Sequence, residues 1–300
     1  MLSSGGRRLP PLVVLLFADF LLLGLTFGAQ GVLWAELVVR LQLSMGTFGA
    51  AQLVTPVVAV SLLLLGGPLS ARAGNKRLAI ASLLLMSGGS LALAGTTNLW
   101  TLVGALAVLG GGYGLFETAM NGAALDWEHA TARHVLNVLH AGYSAGAVVG
   151  AIGTGVLVEL GWPPAGVLTL VGGLCALGAA ATLPVRYPLG SRLLAGSPEA
   201  GSLRAGAPSA GAPGTAGALT LFRRHRALAL LALVCMLGSV GESAANLWSV
   251  IYLYEQGAGA VLGGAAFALT NAAMLIGRVA NAPLVNRFGT RASLRVSGVG

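Results

Sequence analysis

Long apolar segments alternate along the chain with shorter polar segments that contain glycine, proline and charged side chains. Each apolar segment has about 20 residues, and a helix of that length crosses a hydrocarbon core of about 30 Å. The segments lack the regular alternation of barrel strands, and backbone amides in lipid must be paired internally. The pattern therefore predicts an all-α polytopic membrane protein with eight spans and part of a ninth. The eight predicted spans are 12–34, 46–68, 78–95, 100–122, 136–159, 164–184, 227–252 and 259–283.

One long polar segment divides the predicted spans into two groups. Residues 185–226 mix glycine, serine, alanine and proline with arginine, a composition typical of a flexible linker. The sequence thus predicts an N-terminal bundle of six transmembrane helices at 1–184 and a flexible cytoplasmic linker at 185–226. An incomplete C-terminal transmembrane bundle follows at 227–300.

The composition is that of a membrane protein. Hydrophobic residues make up 56% of the chain and charged residues 9%, against about 25% charged residues in soluble domains. The net charge is +8, and every Lys and Arg except Arg40 and Arg278 lies in the N-terminal tail or in loops on the same side. Positively charged loops stay in the cytoplasm, so the sequence predicts a cytoplasmic N-terminus in a multi-pass protein of the plasma or inner membrane. Topology explains the positive charge, and no nucleic-acid partner is expected.

Segments that follow the linker resemble segments near the start of the chain. The Leu-Trp pair at 33–34 recurs at 247–248, and the tripeptide at 72–74 aligns with the one at 287–289. The near-constant offset indicates a parallel repeat of a six-span unit.

Two copies of a family signature lie within this repeat. The sequences GPLSARAGNKR at 67–77 and LVNRFGTR at 284–291 resemble G-x-L-A-D-R-x-G-R-K, the signature of major facilitator superfamily transporters. The acidic position of the signature holds Ala71 in the first copy and Asn286 in the second, so its charge relay is expected to be weakened or absent. The residues that match the signature of the gating loop are Gly67, Arg72, Gly74, Lys76, Arg287, Gly289 and Arg291.

The resemblance implies a helical bundle built from two six-span repeats. The chain contains the first repeat and the start of the second. We therefore expect either a truncated sequence or a protein that needs a partner to complete its second half.

Ionisable and amide side chains occur inside several predicted spans, where they are costly and mark functional sites. Helical periodicity places them on one polar stripe per helix, as expected of helices around a central aqueous cavity. A separate face of the fifth span carries Gly142, Gly146 and Gly150 and is predicted to pack against another helix. The candidate residues for substrate binding and coupling are Asp19, Gln30, Glu117, Asn121, His140, Glu242 and Asn246.

The octet GLFETAMN at 114–121 resembles the G-L-x-E-T-A-x-N segment in the fourth helix of proton-coupled, fucose-type sugar symporters. The resemblance implies that Glu117 contributes to sugar recognition and proton coupling and that Asn121 lines the cavity. The alternative role for Glu117 is a structural hydrogen bond between helices. In the seventh span, Glu242 with Asn246 and Trp248 resembles the pattern of related bacterial members.

The sequence predicts a secondary active transporter that moves a small solute by alternating access. A sugar is one candidate solute, and H⁺ is the expected coupling ion. The alternatives are a drug or metabolite efflux antiporter and a non-transporting scaffold or receptor derived from a transporter. No enzyme is expected, because no span contains His-x-x-x-His, Gly-x-Ser-x-Gly or paired aspartates at catalytic spacing. The expected partners are the solute and the lipid bilayer, and no metal or other cofactor is expected.

Overall fold

A computed structural model describes residues 10–131, 133–187, 226–289 and residue 292 of the chain. Ten α-helices account for the regular structure of these residues. The helices are α1 (Pro11–Arg40), α2 (Met45–Gln52), α3 (Val54–Leu64), α4 (Gly66–Ala73), α5 (Asn75–Ala94), α6 (Leu99–Thr131), α7 (Leu136–Glu159), α8 (Pro164–Thr182), α9 (Arg226–Glu255) and α10 (Ala260–Phe288).

The eight predicted spans are confirmed as helices of sufficient length and hydropathy. Eight helical segments among the described residues are long and apolar enough to cross a membrane, and α2 and α3 together form the second of them. The predicted linker lies outside the described residues between positions 188 and 225. The predicted start of a ninth span lies outside them at positions 290–291 and 293–300.

Several predicted spans are shorter than the helices that form them, most clearly the first and the fourth. Helix α1 continues to Arg40 beyond the predicted end at 34, and α6 continues to Thr131 beyond the predicted end at 122. An apolar run is expected to end near the edge of the hydrocarbon core, whereas helical hydrogen bonding can continue beyond it. Hydropathy therefore marks the membrane thickness and not the helix ends.

The first signature segment is mostly helical, although the signature is that of a gating loop. Residues Gly66–Ala73 form helix α4, and only Gly74 leaves the helical conformation, with φ of 82°. Gly289 follows the end of α10 in the same way, with φ of 80°. This left-handed backbone favours glycine, which has no Cβ. The two copies of the signature thus share one break, at the glycine that both retain.

Helices α1 and α7 pack with their backbones in contact through glycines on both sides. A Cβ at Gly24 or Gly28 of α1 would overlap a carbonyl oxygen of α7. In return, a Cβ at Gly146 would overlap the carbonyl oxygen of Leu21, and Gly150 faces α1 in the same way. The predicted packing face of the fifth span is therefore confirmed.

Helices α9 and α10 join the first six spans through α1 and α7. A small apolar cluster forms this junction, and the ring of Phe267 from α10 lies where a Cβ at Gly31 of α1 would be. The larger core, which includes Phe20, Phe48 and Phe116, lies mostly within the first six spans, and Ile251 of α9 joins it. The N-terminal part thus has its own core, and α9 and α10 contact one side of it.

The predicted orientation can be tested in the linker. In protein whose Cys175 and Cys235 are replaced by alanine, a cysteine at Ser209 should not react with an impermeant maleimide in intact cells. The reason is that the arginine-rich linker is predicted to be cytoplasmic. The same cysteine should react after permeabilisation. Labelling of intact cells would show that the orientation is reversed.

Candidate functional site

Glu117 and Asn121 form a hydrogen-bonded pair on α6. The side-chain amide of Asn121 donates to Glu117 Oε2 at 2.6 Å and to the Glu117 backbone oxygen at 2.9 Å. Both side chains are half-buried. The Oδ1 atom of Asn121 is buried and has no hydrogen-bond partner among the described residues. The helical spacing predicted that these two residues share a face, and the structure places them in contact.

Two glycines of the same stripe bring α6 against the second span. A Cβ at Gly110 would lie 2.5 Å from the carbonyl oxygen of Thr55 in α3, and a Cβ at Gly114 would overlap the carbonyl oxygen of Ala59. Glycine at these positions lets the two backbones approach closely. The backbone of the second span therefore packs against α6 in the turns that precede Glu117.

The polar stripe of α1 lies inside the first six spans. Asp19 is 1% exposed and Gln30 is 3% exposed. A Cβ at Gly178 of α8 would lie 3.6 Å from Asp19 Oδ1, and Asp19 Oδ2 has no hydrogen-bond partner among the described residues. Gln30 Oε1 accepts from the Tyr113 hydroxyl of α6 at 2.9 Å. Asp19 therefore lies against α8, and Gln30 against α6.

Several aromatic side chains of α1, α6 and α7 are in contact with one another in the first six spans. The ring of Phe27 lies 4.5 Å from that of Tyr113 and 5.9 Å from that of Tyr143 on α7, measured between centroids. The ring of Phe20 lies 5.1 Å from that of His140. Sequence reasoning did not select Phe27, Tyr113 or Tyr143. A helical signal was present for two of them, since Phe27 precedes Gln30 by three residues and Tyr113 precedes Glu117 by four.

A second amide pair joins α9 and α10. Asn271 is fully buried, and its Nδ2 donates to Asn246 Oδ1 at 3.1 Å and to the Phe267 backbone oxygen at 3.0 Å. Its Oδ1 has no partner among the described residues. Sequence reasoning missed Asn271, although an asparagine inside the eighth predicted span was the available signal. Glu242 of α9 is exposed.

Comparison with known proteins identifies the family. The sequence profile of the Major Facilitator Superfamily matches residues 15–300. The chain belongs to the major facilitator superfamily. This membership confirms the resemblance seen in the signature segments and identifies the chain as a multi-pass membrane protein of a transporter family.

Two relatives within the superfamily are similar over most of the chain. An uncharacterized transporter of Sinorhizobium fredii is 29% identical over 285 residues, which are 94% of this chain and 70% of that protein. An uncharacterized MFS-type transporter of Yersinia pestis is 26% identical over 263 residues, which are 85% of this chain and 62% of that protein. The chain thus spans about two thirds of the length of these relatives.

The signature segment of this superfamily member is connected to two other helices. The Ser70 hydroxyl donates to Asn75 Oδ1 at 2.5 Å, and Asn75 Nδ2 donates to Asp126 Oδ2 of α6 at 3.0 Å. Lys76 donates to the Leu183 carbonyl oxygen at 2.6 Å, just after α8. A neutral asparagine thus makes the contact with α6, while the position that is acidic in the superfamily signature holds Ala71.

Fewer contacts with other helices are found at the remaining matched positions of the superfamily signature. A Cβ at Gly67 would meet no atom within 4 Å. The guanidinium carbon of Arg287 lies 5.4 Å from the centre of the Phe288 ring, and Phe288 is exposed. Arg291 lies outside the described residues. No hydrogen bond to the side chain of Arg72 or Arg287 is found among the residues that the structure describes.

Proposed function

We propose that this protein is a proton-coupled secondary transporter of a small, uncharged, hydroxylated solute such as a sugar. The hydrogen-bonded pair of Glu117 and Asn121 on α6 is the observation that carries the proposal. An ionisable carboxyl at membrane depth is costly and is retained where it serves transport or ion binding. The octet that contains both residues resembles the fucose-type symporters, which supports a proton as the coupling ion.

The geometry of the pair supports a link between proton and solute. An ionised Glu117 carboxylate only accepts hydrogen bonds, and it orients the Asn121 amide by accepting from Nδ2. Asn121 Oδ1 has no partner among the described residues and is buried in this arrangement, so it would accept from a solute hydroxyl once the transport cycle opens a path to it. A proton on Glu117 removes the charge and turns the carboxyl into a donor. The hydrogen bond that Glu117 accepts from the Asn121 amide then becomes weaker. Protonation and solute binding would thus influence each other through one hydrogen bond.

The chemistry of other buried polar side chains supports an uncharged solute. Gln30 and Asn271 each have one buried amide atom without a partner among the described residues, and Tyr113 contributes a hydroxyl next to Gln30. Amides and hydroxyls bind hydroxyl groups without introducing charge, and aromatic rings cover the apolar faces of a solute.

Alternating access supplies the transport cycle of the proposal. The first six spans move relative to the second half, so that a central site faces one side of the membrane at a time. The glycine face of α7 packs against α1, and this packing does not distinguish uptake from an efflux antiporter, which stays the alternative.

Asn121→Ala should weaken solute binding by about fivefold, since one hydrogen bond contributes about 1 kcal/mol and a factor of ten corresponds to about 1.4 kcal/mol. The measurement is the half-saturation concentration for counterflow of radiolabelled monosaccharides and polyols by the full-length protein in liposomes. Asn137→Ala, at an exposed asparagine of α7, is the control and should leave this concentration unchanged. Equal values for Asn121→Ala and the wild type would exclude Asn121 from solute binding.

A further inference from the structure

A carboxylate of the N-terminal half contacts the first turn of a helix in the other half. Glu159 is the last residue of α7, and its Oε1 accepts from the backbone N–H of Val261 at 3.2 Å. Val261 is the second residue of α10. We refer to the hydrogen bond between Glu159 and Val261 as the α7–α10 bond. Charge placement in the loops predicts that this end of the helices is extracellular.

Helix α10 has no capping side chain of its own at this end. The residues before it, at 256–259, are QGAG, and its first turn contains no acidic side chain. The first N–H groups of a helix have no partner within the helix, and they carry a partial positive charge that favours a nearby carboxylate. Glu159 therefore supplies from α7 the acceptor that the sequence before α10 lacks.

The backbones of the two helices are in close contact beside this bond. A Cβ at Gly155, one turn before Glu159, would lie 2.8 Å from the Ala260 carbonyl oxygen. A Cβ at Gly264 would lie 2.6 Å from the Ala151 carbonyl oxygen. The position of Glu159 relative to α10 is thus fixed by backbone packing, and the bond can form only when the halves are together at this end.

A cavity of about 220 Å³ adjoins the α7–α10 bond between the two halves. Its lining includes two carboxylates, Glu36 of α1 and Glu159, together with the Tyr254 hydroxyl of α9. No Lys, Arg or His lines it among the described residues. The N-terminus of α10 is therefore the positive group that faces Glu159, and Glu36 serves as a comparison carboxylate in the same cavity.

We propose that Glu159 is a positioning residue that stabilises the closed arrangement of α7 and α10, and that the α7–α10 bond breaks when the halves separate at this end. The bond would set the resting balance between closed and open arrangements of the transporter. The inference goes beyond the proposed transport activity, because it concerns a conformational balance that exists without solute or proton gradient.

The test measures the distance between the halves by pulsed electron spin resonance. Spin labels are attached to cysteines at Trp100 and Leu262, which are exposed at this end of α6 and α10, in full-length protein without native cysteines in lipid nanodiscs. Glu159→Ala should lower the ratio of short to long distances by about twofold to fivefold, the effect of a charge at a helix terminus. Glu159→Gln should lower it less, because it keeps the acceptor oxygen and loses the charge.

Glu36→Gln is the matched control, since it removes a charge from the same cavity and leaves the α7–α10 bond intact. It should leave the distance distribution unchanged. An unchanged distribution in both Glu159 variants would overturn the proposal, and so would an equal shift in Glu36→Gln. Because the distances are recorded without solute, either result would leave the proposed transport function untouched.

Discussion

Gly146→Leu is expected to lower the thermal denaturation temperature of the protein in detergent by roughly 5–10 °C. A Cβ at this position would overlap the backbone carbonyl oxygen of Leu21, and a backbone atom cannot move aside as a flexible side chain can. Overpacking of this kind costs about 1–3 kcal/mol or more, and each kcal/mol lowers the denaturation temperature by about 2–4 °C in a chain of this size class. Helix α1 would have to separate from α7 to accept the leucine.

Gly153→Leu is the matched control for this stability measurement. Gly153 lies two turns further along α7, and a Cβ there would meet no atom within 4 Å. Its denaturation temperature should stay close to that of the wild type. Similar losses for Gly146→Leu and Gly153→Leu would mean that the contact between α1 and α7 is not what the glycine face provides.

Glu117→Gln is expected to abolish accumulation of solute driven by a pH gradient while solute exchange at equilibrium continues. Glutamine keeps almost the shape of glutamate, and its oxygen can still accept from Asn121, but it cannot take up and release a proton at physiological pH. The measurement compares uphill uptake with counterflow in liposomes that contain the full-length protein. Loss of the first with retention of the second would separate coupling from solute binding.

Glu242→Gln is the comparison variant for this coupling measurement. Glu242 lies on α9, apart from the hydrogen-bonded pair of Glu117 and Asn121 on α6. Uphill uptake by Glu242→Gln should resemble that of the wild type. Uphill uptake by Glu117→Gln at the wild-type rate would contradict the coupling role and would direct attention to Glu242 and Asp19.

The number and type of elements could be predicted from the sequence, because the membrane imposes one length and one conformation on every span. Faces within one helix could be predicted too, since they depend only on helical spacing. The pairing of Glu117 with Asn121 and the packing face at Gly146 are examples. The ends of α1 and α6 could not be read from hydropathy, because both helices continue beyond the apolar run.

The neighbours of each face could not be predicted. Helical periodicity placed Asp19 and Gln30 on one polar face, but it could not show that Asp19 lies against α8 or that Gln30 accepts from Tyr113 of α6. Helical spacing fixes which residues point the same way, but the rotation of a helix within the bundle depends on packing with all the others. The buried Asn271 was missed for the same reason, since its importance rests on contact with Asn246.

Proton-coupled transport can be tested most directly by measuring solute accumulation in liposomes with an imposed pH gradient. A solute selected by counterflow should accumulate above its equilibrium level when the gradient is present, and a protonophore that collapses the gradient should return it to equilibrium. Accumulation that persists after the protonophore, or counterflow that never becomes uphill uptake under any pH gradient, would contradict proton coupling in this protein.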